Sequence, residues 1–219
     1  MLEKLKKWIK KKGEIEPFDT TSFDDPLAER IDWVPLKHGG SNFHTHRLVE
    51  TTANRLEFRA TRGARLFAAI FIVVGFAFPI LFITTQSGSL SFYELGGILF
   101  FGLIFASAGG FMWYIMGKPR VFDKLTGMYW LGHKEPDYVY KVANEVQNNQ
   151  ARLSDIHAIQ LIREYVRSDK NSYYSYELNL ILKSGERLNV IDHGKKSEII
   201  SDADKLSKYL GVPVWSTFY

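Results

Sequence analysis

Two long stretches of the chain carry no charge at all, and everything else is arranged around them. Residues 66–83 (LFAAIFIVVGFAFPILFI) form an uninterrupted apolar run of about 27 Å at helical rise, close to the thickness of a bilayer's hydrocarbon. Residues 95–116 form a second run, long enough to span with some tilt. Only TTQSGSLSFYE separates them, so the pattern predicts a transmembrane hairpin over residues 66–117. Outside it the period changes to two. HRLVE and RLEFRA predict a juxtamembrane β-hairpin within residues 44–65, and RVFD and MYWLG a second around KLTG. From residue 174 to 183, Tyr174, Tyr176, Leu178, Leu180 and Leu182 alternate with Ser175, Glu177, Asn179, Ile181 and Lys183, which predicts a strand with one buried and one wet face. A turn at Ser184-Gly185 leads into ERLNVID. Residues 195–210 place Ile199, Ala203, Leu206 and Leu210 at helical spacing, stopped by Gly211 and Pro213.

Charge placement orients the hairpin. Arg55, Arg59, Arg62 and Arg65 precede the first span, Lys118, Arg120 and Lys124 follow the second, and the connecting turn has neither Lys nor Arg. The positive-inside rule then puts both termini in the cytoplasm. Residues 1–16 read as a basic amphipathic segment. Leu2, Leu5, Trp8 and Ile9 gather on one side, while Lys4, Lys6, Lys7, Lys10, Lys11 and Lys12 line the rest, and with Trp8 they suit an anionic membrane surface. Residues 17–43 are acidic and turn-rich and read as a linker with one short helix, capped by Asp25 and started by Pro26.

Gly102, Ala106 and Gly110 recur every four residues on the second span, a stripe that allows close helix packing, first with the other span and second with another copy of the chain. No Asp, Glu, Lys, Arg or His lies inside either span, which argues against a pump or selective channel. The 28 Lys and Arg against 24 Asp and Glu form no nucleic-acid stripe or motif. The absence of cysteine excludes disulfides, thiol catalysis and Cys-ligated metals.

Candidate chemistry is sparse. His44 and His46 at i and i+2 could be half a metal site, but no second ligand pair follows in sequence, so hydrogen-bonded or interfacial histidines are expected and no metal or other cofactor is assigned. Asp192-His193-Gly194 reads as a capped turn rather than catalytic machinery, and neither a Gly-x-Ser-x-Gly elbow nor a phosphate loop occurs. The chain is therefore expected not to be an enzyme. Tyr173, Tyr174 and Tyr176, after a mixed-charge loop, are a candidate partner surface.

The order of strand hairpin, DIHAIQLI, SYYSYELNLIL, RLNVIDHG, closing helix and LGVPVW resembles the bacterial pleckstrin-homology-like domains attached to paired membrane helices, over roughly residues 118–215. With SNFHTHRLVE before the spans, the layout is similar to a family of uncharacterised two-span bacterial inner-membrane proteins. That resemblance implies an α+β membrane protein: a helical hairpin plus a mainly antiparallel β-barrel or sheet domain (residues 118–219) closed by the C-terminal helix. HRLVE and RLEFRA are expected to join that domain from the other side of the spans. Two functions fit: a docking, assembly or regulatory module for a protein partner, or an immunity protein that neutralises a membrane-acting toxin through its hairpin.

Overall fold

A computed structural model of the chain describes residues 19–136, 149–167 and 172–218. The basic segment 1–16 and most of the polar insert after residue 132 lie outside the described residues.

After a single 3-10 turn (Thr20–Phe23) comes α1 (Pro26–Arg30), whose N-cap Asp25 accepts the Leu27 N–H at 2.8 Å, with Pro26 in the first turn. The strands β1 (His46–Thr52) and β2 (Arg55–Ala60) form the first hairpin. Thr61 caps the first membrane helix, α2 (Arg62–Thr85), accepting the Ala64 N–H at 3.1 Å. The second, α3 (Phe92–Gly117), starts on a capping box between Ser91 and Glu94, so the lone acid between the spans has a local role. Both helices are long and apolar enough to cross a membrane. Their outer faces expose large apolar side chains, Leu66, Val73, Phe76, Ile80, Phe100, Leu103 and Phe111 among them, a surface that suits hydrocarbon and not water.

The hairpin is closed by small residues. Gly75 lies against Gly102 and Ala106, where an added Cβ would sit 2.7 Å from the Gly102 carbonyl oxygen and 2.8 Å from the Ala106 Cβ. Pro79 fills the space over Gly102, and Gly109 faces the Ala68 and Ile72 backbone. Beside this seam Phe78, Phe101, Phe105 and Phe71 form a ladder with neighbouring centroids 4.6–5.8 Å apart. The expected stripe is therefore corrected at one position. Gly102 and Ala106 face the other span, but Gly110 points into open space and Gly109 takes the third place, because 3.6 residues per turn drift off a strict four-residue repeat.

Following α3 come β3 (Arg120–Asp123), β4 (Met128–Leu131), β5 (Gln150–Arg152), β6 (Ile156–Val166), β7 (Tyr173–Leu182), β8 (Arg187–His193), α4 (Lys196–Leu210) and β9 (Val214–Ser216). They build two sheets. One has the order β1-β2-β3-β4-β5, and the other β8-β7-β6-β9, with β9 parallel to β6 and the rest antiparallel. The architecture is α+β with two packed sheets and not a closed barrel: among the described residues the sheets end on β1 and β5, and on β8 and β9, with no ladder joining them. Strand β2 pairs directly with β3, Phe58 opposite Arg120 and Leu56 opposite Phe122. The membrane hairpin is thus an insertion between two neighbouring strands of one sheet.

The main core lies between the sheets and α4. Leu56, Phe58, Phe122 and Tyr129 from the first sheet meet Leu161, Leu178, Leu180 and Leu188 from the second, and Ile199, Ala203 and Leu206 close one side. The other face of the second sheet was expected to be wet; instead Ser175, Glu177, Asn179 and Ile181 are all buried. The acidic segment 19–43 covers them as a strap. Leu27, Ala28 and Ile31 pack on Ala158, Ile181 and Trp215, and Phe23 stacks on Trp33 at 5.3 Å. Polar side chains of the sheet hold its backbone. Glu177 accepts the Leu36 and Lys37 N–H groups at 2.9 and 3.0 Å, Gln160 donates to the Asp32 carbonyl at 3.0 Å, and Arg187 donates to that of Val34 at 2.8 Å. A segment read as a linker is therefore a third layer, because the sheet's polar residues bond to its main chain rather than to water.

Candidate functional site

Chemistry-bearing side chains converge where the spans meet the domain. Thr61, the α2 cap, donates its hydroxyl to the His44 carbonyl at 2.9 Å, which fixes the end of the strap against the root of the first span. Two residues later His46 begins β1 and turns toward α3. His46 Nε2 lies 2.6 Å from Arg120 Nη1 and 3.2 Å from the Met116 carbonyl oxygen at the end of α3, and Nδ1 faces the Thr45 hydroxyl oxygen at 3.0 Å; Thr45 in turn donates to the Asp192 carbonyl at 3.2 Å. Burial, aided by the neighbouring Arg120 guanidinium, pushes the His46 imidazole down to about 3 and keeps it neutral. Arg120 also donates to the Val190 carbonyl at 2.9 Å, bridging the two sheets.

His44 goes elsewhere. Its ring lies against that of His193, the last residue of β8, with centroids 4.8 Å apart, and Asp202 reaches toward both from α4. His193 is fully buried. One donor atom from each of the three side chains lies within 4.8 Å of the others. His44 Nε2, His193 Nε2 and Asp202 Oδ2 are buried and have no hydrogen-bond partner. Burial pushes His193 down to about 4 and lowers His44, and it pushes the Asp202 carboxyl up to about 6. His46 is hydrogen-bonded as expected, whereas His44 sits at the interface of the strap with β8 and its Nε2 has no hydrogen-bond partner. The partner His44 meets, His193, is 149 residues away in sequence, so i, i+2 spacing could not reveal the pair.

Of the tyrosines expected at a partner surface, Tyr176 is in the core against Phe218, and Tyr173 is half-buried with its hydroxyl donating to the Gly40 carbonyl at 2.9 Å. Only Tyr174 is exposed. It pairs with Tyr165 across the β6–β7 ladder at 5.1 Å, and the Arg163 guanidinium lies 5.1 Å over its ring. The Leu-rich alternation hid Tyr165, which belongs to the facing strand.

Compared with protein-family models, curated proteins and solved structures, the chain matches none.

Proposed function

We propose that this is a two-span protein of a bacterial inner membrane, with both termini in the cytoplasm, whose β domain is a non-enzymatic docking module for a protein partner. The observation that carries this reading is the insertion of the hairpin between β2 and β3. Only Thr61 separates β2 from α2, and two residues separate α3 from β3. The domain is a direct continuation of the spans, which holds any surface it presents at a set height and angle over the bilayer. A tethered enzyme has little need of such an attachment, whereas a platform that positions a partner depends on it.

The surface we assign to docking is Tyr165, Tyr174 and Arg163. An exposed aromatic pair overlaid by a guanidinium suits a protein segment that offers apolar side chains next to a carboxylate. The resemblance of the sequence layout to membrane-attached pleckstrin-homology-like domains supports the same reading. A photo-crosslinking residue placed at position 174 in cells is expected to give a discrete adduct with one protein, lost when Arg163→Glu is added. Adducts that form only from positions on the outer faces of the spans would move recognition into the bilayer and overturn the docking reading.

A further inference from the structure

We propose that His44, His193 and Asp202 bind one divalent first-row transition ion, for which zinc is the best-fitting case, and that the ion clamps the end of the strap, the end of β8 and α4 together beside the roots of the spans. This is independent of the docking reading. Three observations carry it.

The first is the convergence of orphaned atoms. Buried polar atoms in folded proteins almost always have a partner. Here three of them, two imidazole nitrogens and a carboxylate oxygen, are buried without one, and they belong to the only His, Asp or Glu cluster with metal-ligand proximity among the described residues. His46 is a control within the same fold: it is as buried, yet both its ring nitrogens are engaged. The orphaned atoms of His44 and His193 therefore do not reflect a general shortage of partners in this region.

The second is donor type. Two imidazole nitrogens and one carboxylate oxygen suit zinc and its first-row neighbours, while magnesium and calcium take oxygen ligands. Three protein ligands leave the fourth position of a tetrahedral ion to water. Donors on one zinc at about 2.0–2.2 Å stand about 3.3–3.5 Å apart, so the set closes by about 1 to 1.5 Å, within reach of side-chain rotation. The other polar atoms of two ligands are already held: His44 has a backbone hydrogen bond with His46, and Asp202 has one with Leu48. Such bonds orient ligands toward a metal. His193 Nδ1 has only a 3.4 Å contact from the Lys195 N–H, which ligation through Nε2 displaces.

The third is charge. Around the imidazoles stand Asp202 and Glu198 on one side and Lys195, Lys205 and Arg47 on the other, with Lys195 bound to Glu198 at 2.8 Å and Lys205 to Glu50 at 3.6 Å. Asp202, with no ion-pair partner among the described residues, is the one donor that brings a negative charge to a bound cation.

The test uses the full-length, tag-free protein in mild detergent. After treatment with a chelator it is titrated with Zn²⁺, and separately with Co²⁺, whose visible spectrum reports the ligand field. Expected are one zinc per chain by elemental analysis, a cobalt band of four-coordinate character, and a rise in Tm on adding zinc. Asp202→Asn keeps the shape and a carbonyl oxygen for the Leu48 N–H, so it should fold. It is expected to weaken zinc binding at least tenfold and to abolish the Tm rise, while Glu186→Gln, an exposed carboxylate on the β7–β8 turn, changes neither. If the metal-free variant does not fold, His44→Gln with the same readouts replaces it. Less than one-tenth of a zinc per chain at saturating metal would mean that a buried water fills the space, and would overturn the proposal. Equal binding by wild type and by Asp202→Asn and His44→Gln would also overturn it, since the metal would then sit elsewhere.

Discussion

Asn179 sits at the centre of the second sheet with none of its surface exposed, donating to Glu177 Oε1 at 2.5 Å and to Gln160 Oε1 at 3.3 Å. Its Oδ1 accepts from Asn189 at 3.3 Å. Replacing the donor with a carboxylate would put a second negative charge against Glu177, whose oxygens already hold the strap. Asn179→Asp is therefore expected to cost about 2–4 kcal/mol, comparable to Leu178→Asp in the core, as read from chemical denaturation in detergent. The sequence alone places Asn179 on a wet face, where the same change is mild. Alternation does report correctly that residues 175, 177 and 179 oppose the leucines; what it cannot report is that a polar side chain facing away from the core has the main chain of another segment as its solvent. A wild-type-like midpoint for Asn179→Asp would show that the strap does not cover this face.

Elements were the most legible level. The two spans, the hairpins around residues 53–54 and 124–127, the long strand and the final helix all follow from local period and turn chemistry, because each is specified by residues within one turn or one pleat of each other. Two short strands, β5 and β9, were not legible: three residues long, they exist only through pairing with β4 and β6. The strap was missed for a related reason. Its apolar residues Leu27, Ala28, Ile31 and Trp33 are few and lie among acids and prolines, and they become a packing face only when Trp215 and Ile181 arrive from far along the chain. Between the spans, a Cβ on Gly109 would meet the Ile72 backbone nitrogen at 2.7 Å, whereas one on Gly110 meets nothing within 4 Å. Gly109→Leu should therefore splay the hairpin and Gly110→Leu should not. The chain's lack of cysteine allows a clean readout: spin labels on cysteines replacing Phe78 and Phe101, whose rings lie 5.1 Å apart, are expected to stay close in the Gly110→Leu background and to move apart with Gly109→Leu. The opposite ranking would restore the strict four-residue stripe.

Taken whole, the molecule is held by contacts between parts that are distant in sequence. A protease site introduced at Gly88, in the exposed turn between α2 and α3, would cut the chain into two fragments. The β2–β3 ladder, the glycine seam and the strap's hydrogen bonds all cross between those fragments. They are expected to co-purify after cleavage, with Tm lowered by a few degrees; separation in mild detergent would contradict the single inserted architecture. The candidate cluster was the least legible feature of all. Its three residues come from a loop, a strand end and a helix, and no pattern shorter than the tertiary fold connects them.

The place of the hairpin also sets an order of events during synthesis. Strands β1 and β2 leave the ribosome before the spans, but β2 has no neighbour on its inner side until β3 follows the second span. The strap waits longer, since the strands it covers, β6 to β8, are made more than a hundred residues after it. The strap and the β1–β2 hairpin therefore lack their packing partners while the two spans are being made. The spans are made first, and the two-sheet domain can close only afterwards.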